Sequence, residues 1–201
     1  MEDSRYSRAF TAGFSLLELS IVLVVIGLIV GGVMSGKNII NAAKLRSVMG
    51  DANNYLTAVS QFRSHYNYLP GDLPTATNYW SGSAPGNGDG LISQGTNEEF
   101  RVWDHLNLAG FLEKGYSGVA GGGGASDSLP GTNVPSGRLE NSGFAFYYAD
   151  MTATTKVYTA TLGNMLAFGG IITASEPTNA ILVPEDAYNI DIKMDDGKPG
   201  S

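Results

Sequence analysis

The sequence predicts an α+β protein in which one long N-terminal helix packs, through its second half, on a small antiparallel sheet with short helices and long loops. Three observations predict it. Residues 14–36 are an apolar run of 23 residues whose only charge is Glu18. The helical period continues past that run, with Leu45, Val48, Ala52, Tyr55, Val59, Phe62 and Tyr66 recurring at steps of three or four. Strand-like segments gather late, at 143–149 (GFAFYYA), 156–162 (KVYTATL) and 165–168, in a chain otherwise rich in Gly, Asn, Ser and Thr.

The first 13 residues (MEDSRYSRAFTAG) are polar and read as a short tail. The apolar run behind them is long enough, as a helix, to cross a hydrocarbon core of ~30 Å. Its length, and the lack of an Ala-x-Ala site after it, set it apart from an ordinary secretory signal. Glu18 fits a plain anchor badly, because an unpaired carboxylate in that setting costs roughly 2–3 kcal/mol or more. Gly27, Gly31, Gly32 and Gly36 fall at spacings of four, which let helices approach closely. Tolerance of glycine in membrane helices explains them equally well.

Between residues 37 and 66 there is no proline and only Gly50, so one helix is expected from about Phe14 to about His65. At 1.5 Å per residue it would be roughly 75–80 Å long. Tyr68-Leu69-Pro70-Gly71-Asp72-Leu73-Pro74 stops it. A loop is expected over 75–97, then an amphipathic helix over 98–109. Thr96 or Asn97 caps that helix, Glu98 and Glu99 sit in its first turn, Gly110 ends it, and Phe100, Trp103, Leu106 and Leu112 face inward. The Gly/Ser/Asn/Pro-rich stretch 115–143 should be mobile or draped on the surface. Gly163-Asn164 reads as the turn of a hairpin. Pro184 opens a last short helix with Ala187, Ile190 and Met194 inward and Gly197 at its end. The chain stops at Ser201 without a closing element, and a further strand beyond it is expected.

Charge narrows the function. The formal net charge is −7, spread unevenly. Residues 14–66 carry Lys37, Lys44, Arg46 and Arg63 against Glu18 and Asp51; residues 67–201 hold a net −9. An acidic body of this kind argues against a nucleic-acid partner, while the basic cluster at 37–46 suits anionic lipid headgroups. With no Cys and only His65 and His105, disulfides, thiolate chemistry and histidine metal clusters are not expected. Neither histidine has a nucleophile and an orienting acid at catalytic spacing, so no enzyme is expected.

Two acidic stretches are candidate Ca²⁺ sites, and Ca²⁺ is the one cofactor to consider. Asn87-Gly88-Asp89-Gly90 resembles the middle of an EF-hand loop, with Asn87 and Asp89 as candidate ligands. Pro85 and Thr96 stand at its first and twelfth positions, so a turn is the favoured reading. Asp191, Asp195 and Asp196 form the second cluster, set against a helix end with an Asp/Gly turn.

Gly13-Phe14-Ser15-Leu16-Leu17-Glu18-Leu19 resembles the N-terminal signal of type IV pilins and type II secretion pseudopilins. The segments Tyr68-Leu69-Pro70-Gly71-Asp72, Trp103-x-His105-Leu106-x-x-Ala109-Gly110 and Asp191-Ile192-Lys193-Met194-Asp195-Asp196-Gly197 are similar to a pseudopilin-like subgroup. The resemblance implies a pilin-like fold and a leader cut between Gly13 and Phe14 by a prepilin peptidase. It also implies N-methylation of Phe14 and pairing of Glu18 with the Phe14 ammonium of a neighbouring subunit. The implied partners are other pilin or pseudopilin subunits, the peptidase, an inner-membrane assembly platform and the lipid bilayer, with the globular domain in the periplasm of a bacterium. The implied divisions are a leader at 1–13, an assembly half of the helix at 14–36, an amphipathic half at 37–66 and a periplasmic domain at 67–201.

Three departures favour a pseudopilin or minor pilin over a major pilin. The leader contains Glu2 and Asp3; Ser35 and Gly36 stand where a pilin proline is familiar; and there is no disulfide loop. The alternative is a membrane-anchored or filament-tip module that binds a ligand, a surface or DNA-uptake partners, with Ca²⁺ in its acidic domain.

Overall fold

The computed structural model describes residues 13–150 and 161–194. The chain divides into two compact units, Met1–Ala43 and Lys44–Ser201. Among the described residues six elements follow in order: α1 (Leu16–Tyr66), α2 (Ala76–Tyr79), α3 (Glu98–Leu108), β1 (Ser142–Asp150), β2 (Thr161–Gly170) and α4 (Pro184–Met194). A long N-terminal helix, short helices and a two-stranded antiparallel sheet make an α+β layout.

The first unit is the apolar part of α1. Its large side chains, from Leu16 to Ile40, are exposed in the single chain. One window of α1 is long and apolar enough to cross a membrane. The glycines here answer no need of this chain: a Cβ at Gly27, Gly31, Gly32 or Gly36 would meet nothing within 4 Å.

The second unit holds the core. Val48, Ala52, Val59 and Phe62 of α1 are buried on the stripe that the sequence marks, joined by Ala58, while Tyr55 and Tyr66 are half-buried. They meet Phe100, Val102, Trp103 and Leu106 of α3 and Phe144 and Phe146 of β1. Tyr55 joins the three elements, with its ring edge-on to Trp103 at 5.2 Å and to Phe144 at 5.1 Å between centroids. Such aromatic pairs add about 0.5–1.5 kcal/mol each beyond their area. Asn67 ends α1 in the left-handed region (φ 59°), its N–H donating to the Arg63 carbonyl.

Helix α3 forms where expected, and Phe100, Trp103 and Leu106 are fully buried, with Leu112 half-buried. Gly110 follows it with φ 79°, and Phe111 N–H reaches back to the Leu106 carbonyl. The N-terminus is built differently from a plain cap. Asn97 occupies the cap position but sends its side chain to Ala120 N–H at 2.7 Å, and Thr96 Oγ1 accepts from Glu98 N–H instead. The short α2 interrupts the stretch expected to be all loop.

The sheet corrects one expectation. Gly163 and Asn164 are not a hairpin turn; they lie inside β2, opposite Ala149 and Tyr148. The register shifts between Ala149 and Asp150, and Gly163 has φ 75°, so the glycine serves a bulge. Of the expected strand at 156–162, residues 156–160 lie outside the described residues. The outer edge of β1 is covered by loops: Phe144 N–H donates to the Pro135 carbonyl and Tyr148 N–H to the Ile92 carbonyl.

The glycine-rich stretch is draped on the surface and fastened from within. Asp127 Oδ2 accepts from Gly123 N–H at 2.8 Å and Asp127 Oδ1 from Ala174 N–H at 3.1 Å. Buried Asn133 accepts from Leu129 N–H and donates to the carbonyls of Val119 and Asp127. Helix α4 has no buried residue; Ala187, Ile190 and Met194 line a groove of about 310 Å³ against Val48, Leu56 and Phe168. Gly197 lies outside the described residues.

Candidate functional site

The residues singled out for assembly lie in the first unit, at the start of α1. Phe14 is 91% exposed, and Glu18 is exposed one helical turn beyond it. Ser15 and Glu18 are joined twice. Ser15 N–H donates to Glu18 Oε2 at 2.8 Å, and Glu18 N–H donates to Ser15 Oγ at 3.1 Å. This is a reciprocal capping box, which satisfies two of the amides that every helix start leaves free. The pattern Ser-x-x-Glu at 15–18 is its signature in sequence. Glu18 is therefore both the lone acid of an apolar surface and the third residue of its own helix cap. Gly13, just outside the helix, is exposed, and a Cβ there would meet none of the described residues within 4 Å.

Behind this end, exposed apolar residues surround the helix, including Leu17, Ile21, Val25 and Ile29. Nothing among the described residues of the first unit packs on them. A surface of this kind persists only in contact with lipid or with other apolar helices. Within the apolar run 14–36 the carboxylate is the single charged group, and so the one able to take a directional, charge-assisted partner.

In the second unit, Asn87 and Asp89 hold each other rather than facing outward as a free donor set. Asn87 Nδ2 donates to Asp89 Oδ2, Asp89 N–H to Asn87 Oδ1, and Leu91 N–H to Asp89 Oδ1. The loop is tied down by Asp72, whose two oxygens accept from Gly88 N–H at 2.6 Å and Gly90 N–H at 2.9 Å. Asn164 fastens it from the other side, accepting from Ile92 N–H and donating to the Gly90 carbonyl. Asp191 lies on α4 at the edge of the groove, while Asp195 and Asp196 lie outside the described residues. Among the described residues no group of three metal-ligating side chains comes together.

His105 is buried beneath the Tyr68–Pro74 turn. Gly71 N–H donates to Nδ1 at 3.0 Å, so the proton sits on Nε2, which donates to the Ala84 carbonyl at 3.1 Å. Its ring stacks on Phe62. Burial pushes the imidazole down to about 4, with the Ala84 hydrogen bond opposing and Arg101 adding to the shift. A neutral ring with both nitrogens engaged is a structural strut.

A polar cleft of about 550 Å³ runs between α1 and the segment after α3. It is lined by Asn54, Tyr55, Gln61, Lys114 and Tyr116, and by Arg138 and Asp51, which form an ion pair at 2.8 Å. Sequence reasoning passed over it because its walls come from three distant segments.

Comparison of the chain with family models, with curated proteins and with solved structures finds no match.

Proposed function

We propose that the chain is a structural subunit of a bacterial filament, a pseudopilin or minor pilin, held in the inner membrane by α1 with its second unit in the periplasm. The observation that carries this reading is one exposed carboxylate, Glu18, at the mouth of an otherwise uncharged and uncovered apolar helix. In this reading a prepilin peptidase cuts after Gly13, and Phe14 becomes the methylated N-terminus. Glu18 then pairs with the Phe14 ammonium of a neighbour as the subunits assemble into a type II secretion pseudopilus or a type IV pilus. The pairing converts the cost of a buried charge into register, because a subunit slipped by one turn leaves both charges unpaired. The uncovered glycines at 27, 31, 32 and 36 support close helix approach, and the acidic second unit gives no support to nucleic-acid binding.

The test is mass spectrometry of the mature chain. The expected species begins at a methylated Phe14; a mature protein that keeps Met1 overturns the reading. A second reading, a filament-tip binding module, draws on the polar cleft around Tyr55, Tyr116 and Lys114. Many copies along sheared filaments support the first reading, and a few copies at one end support the second.

A further inference from the structure

The polar cleft of the second unit is walled by side chains that the fold leaves idle. One wall is a single face of α1. Asp51, Asn54, Ala58 and Gln61 recur at steps of three, four and three, so they stand in a row about 15 Å long. The other wall is the 111–116 segment, and Arg138 joins from the segment before β1. Ala58, Phe111 and Leu112 supply apolar surface between the polar groups. Two phenols are held from the core side. The Tyr55 ring is set edge-on against Trp103 and Phe144, and the Tyr116 ring lies 6.3 Å from Trp103. Among the described residues no hydrogen bond engages the side chains of Asn54, Gln61, Tyr55 or Tyr116.

The charges of the cleft cancel. Arg138 donates to Asp51 from Nε at 2.8 Å and from Nη2 at 3.3 Å. Lys114 follows Glu113, and its ammonium lies 5.8 Å from the centre of the Tyr116 ring. An anion would meet Asp51 and Glu113, and a cation would meet Arg138 and Lys114. Burial raises the Tyr55 hydroxyl above its ordinary 10, with Tyr116 and Asp51 adding and Arg138 opposing. Burial raises Tyr116 as well, with Asp51 adding. Both therefore stay O–H groups that donate and accept at once, and each amide likewise brings a donor and an acceptor. An extended peptide is recognised by a strand edge or by pockets for its side chains, and none of the lining residues belongs to β1 or β2. The volume, about 550 Å³, lies within the roughly 300–1,000 Å³ of small-ligand sites.

We propose that this cleft binds a neutral oligosaccharide, laid along α1 with its hydroxyl groups on Asn54, Gln61, Tyr55 and Tyr116 and its C–H faces on Phe111 and Leu112. A sugar hydroxyl donates and accepts together, as the groups lining this cleft do. Asn54 and Gln61 are about 10 Å apart along the helix, a spacing that suits linked rings better than one. The Arg138–Asp51 pair adds a guanidinium and a carboxylate already held in place, so less conformational freedom is lost when a hydroxyl binds them. The inference rests on the reading that gives the cleft a ligand, and it holds wherever in a filament the subunit stands.

The test is calorimetric titration of the full chain, in a detergent without a sugar headgroup, with triacetylchitotriose, maltotriose, trigalacturonate and tetra-alanine. At least one of the two neutral sugars is expected to bind at millimolar concentration, and the anionic sugar and the peptide to bind several-fold more weakly. Asn54→Ala and Gln61→Ala, both at exposed positions, should each weaken sugar binding about threefold to tenfold. Tyr116→Phe should do the same without changing the melting temperature, because its hydroxyl holds nothing in the fold. Gln94→Ala, on the exposed loop before α3, should bind as the wild type does. Bound sugar should also slow amide exchange at 111–116 in the wild type. The proposal is overturned if neither neutral sugar binds, or if trigalacturonate or tetra-alanine binds as tightly. Wild-type affinity in both alanine variants, or binding that leaves exchange at 111–116 unchanged, overturns it too. Neither the mature N-terminus nor the place in a filament enters a titration of the purified chain. Failure here therefore leaves the subunit reading standing, and failure of that reading leaves a bound sugar standing.

Discussion

Ser15 and Glu18 cap the same helix for each other, amide to carboxylate at 2.8 Å and amide to hydroxyl at 3.1 Å. In the single chain the carboxylate proposed to bind a neighbour is thus already engaged at home. The two roles are separable, because Ser15 serves only the cap. Ser15→Ala is expected to cost the helix start about 0.5–2 kcal/mol and to leave filament assembly intact. Glu18→Ala is expected to insert in the membrane at normal levels and to be missing from sheared filaments. Loss of filaments in both variants would show that capping, and not pairing, is what Glu18 contributes, and normal filaments in both would show that assembly needs neither.

The same separation applies to the glycines of the first unit. A side chain at Gly27 or Gly31 meets nothing in its own chain, so Gly31→Leu should leave the folding of the second unit unchanged. Thermal melting of that unit is expected to match wild type, while crosslinking between subunits in membranes falls several-fold. Unchanged crosslinking would mean that these glycines face lipid. Gly13→Leu is expected to act earlier, leaving an uncut precursor on a gel.

The elements most legible in the sequence were those whose signals are local. The stripe Val48, Ala52, Val59, Phe62 and the face Phe100, Trp103, Leu106 follow from helical period, and both are buried. The capping box is equally local, in Ser15-x-x-Glu18, although the carboxylate's place in an apolar run points first to membrane and partner. Gly163-Asn164 misled for a different reason. Glycine with φ > 0 suits a hairpin turn and a bulge alike, and only the pairing of Ala149 with Gly163 decides between them. The buried Asp127 and Asn133 in the glycine-rich stretch, and Glu176 between β2 and α4, are not legible, since polar residues in loop segments look solvated until their partners are known.

His105 gives a pH dependence of opposite sign to Glu176, whose carboxyl burial pushes up to about 7. Its folded value of about 4 lies below the ordinary 6.5, so the unfolded chain binds the extra proton between those values. The neutral strut therefore stabilises fully above about pH 6.5, and its contribution, of order 3 kcal/mol, is lost as pH falls toward about 4. Glu176 opposes it over part of this range, so the comparison belongs in a Glu176→Gln background. There, denaturant midpoints should fall on acidification, and His105→Leu should flatten that fall while lowering stability throughout. The lowering follows because Gly71 N–H and the Ala84 carbonyl lose their partners. A slope that survives His105→Leu would assign the acid sensitivity to another group.

Asp72 and Asn164 together hold the Asn87–Ile92 loop, each through two hydrogen bonds to it. Asp72 is 1% exposed, so its removal leaves the Gly88 and Gly90 amides without acceptors in a part-buried setting. Each such loss costs about 1–3 kcal/mol. Asp72→Ala is therefore expected to destabilise the second unit by roughly 2–4 kcal/mol, with amide exchange at Gly88 and Gly90 accelerated most. Asn87→Ala removes only the Asx turn at the loop tip and should cost well under half as much, because both partners there reach solvent. Adding Ca²⁺ separates the two descriptions of this loop. A turn held by Asp72 and Asn164 melts at the same temperature with or without the ion, whereas a loop that binds it through Asn87 and Asp89 melts higher with Ca²⁺ and loses that gain in Asp89→Ala.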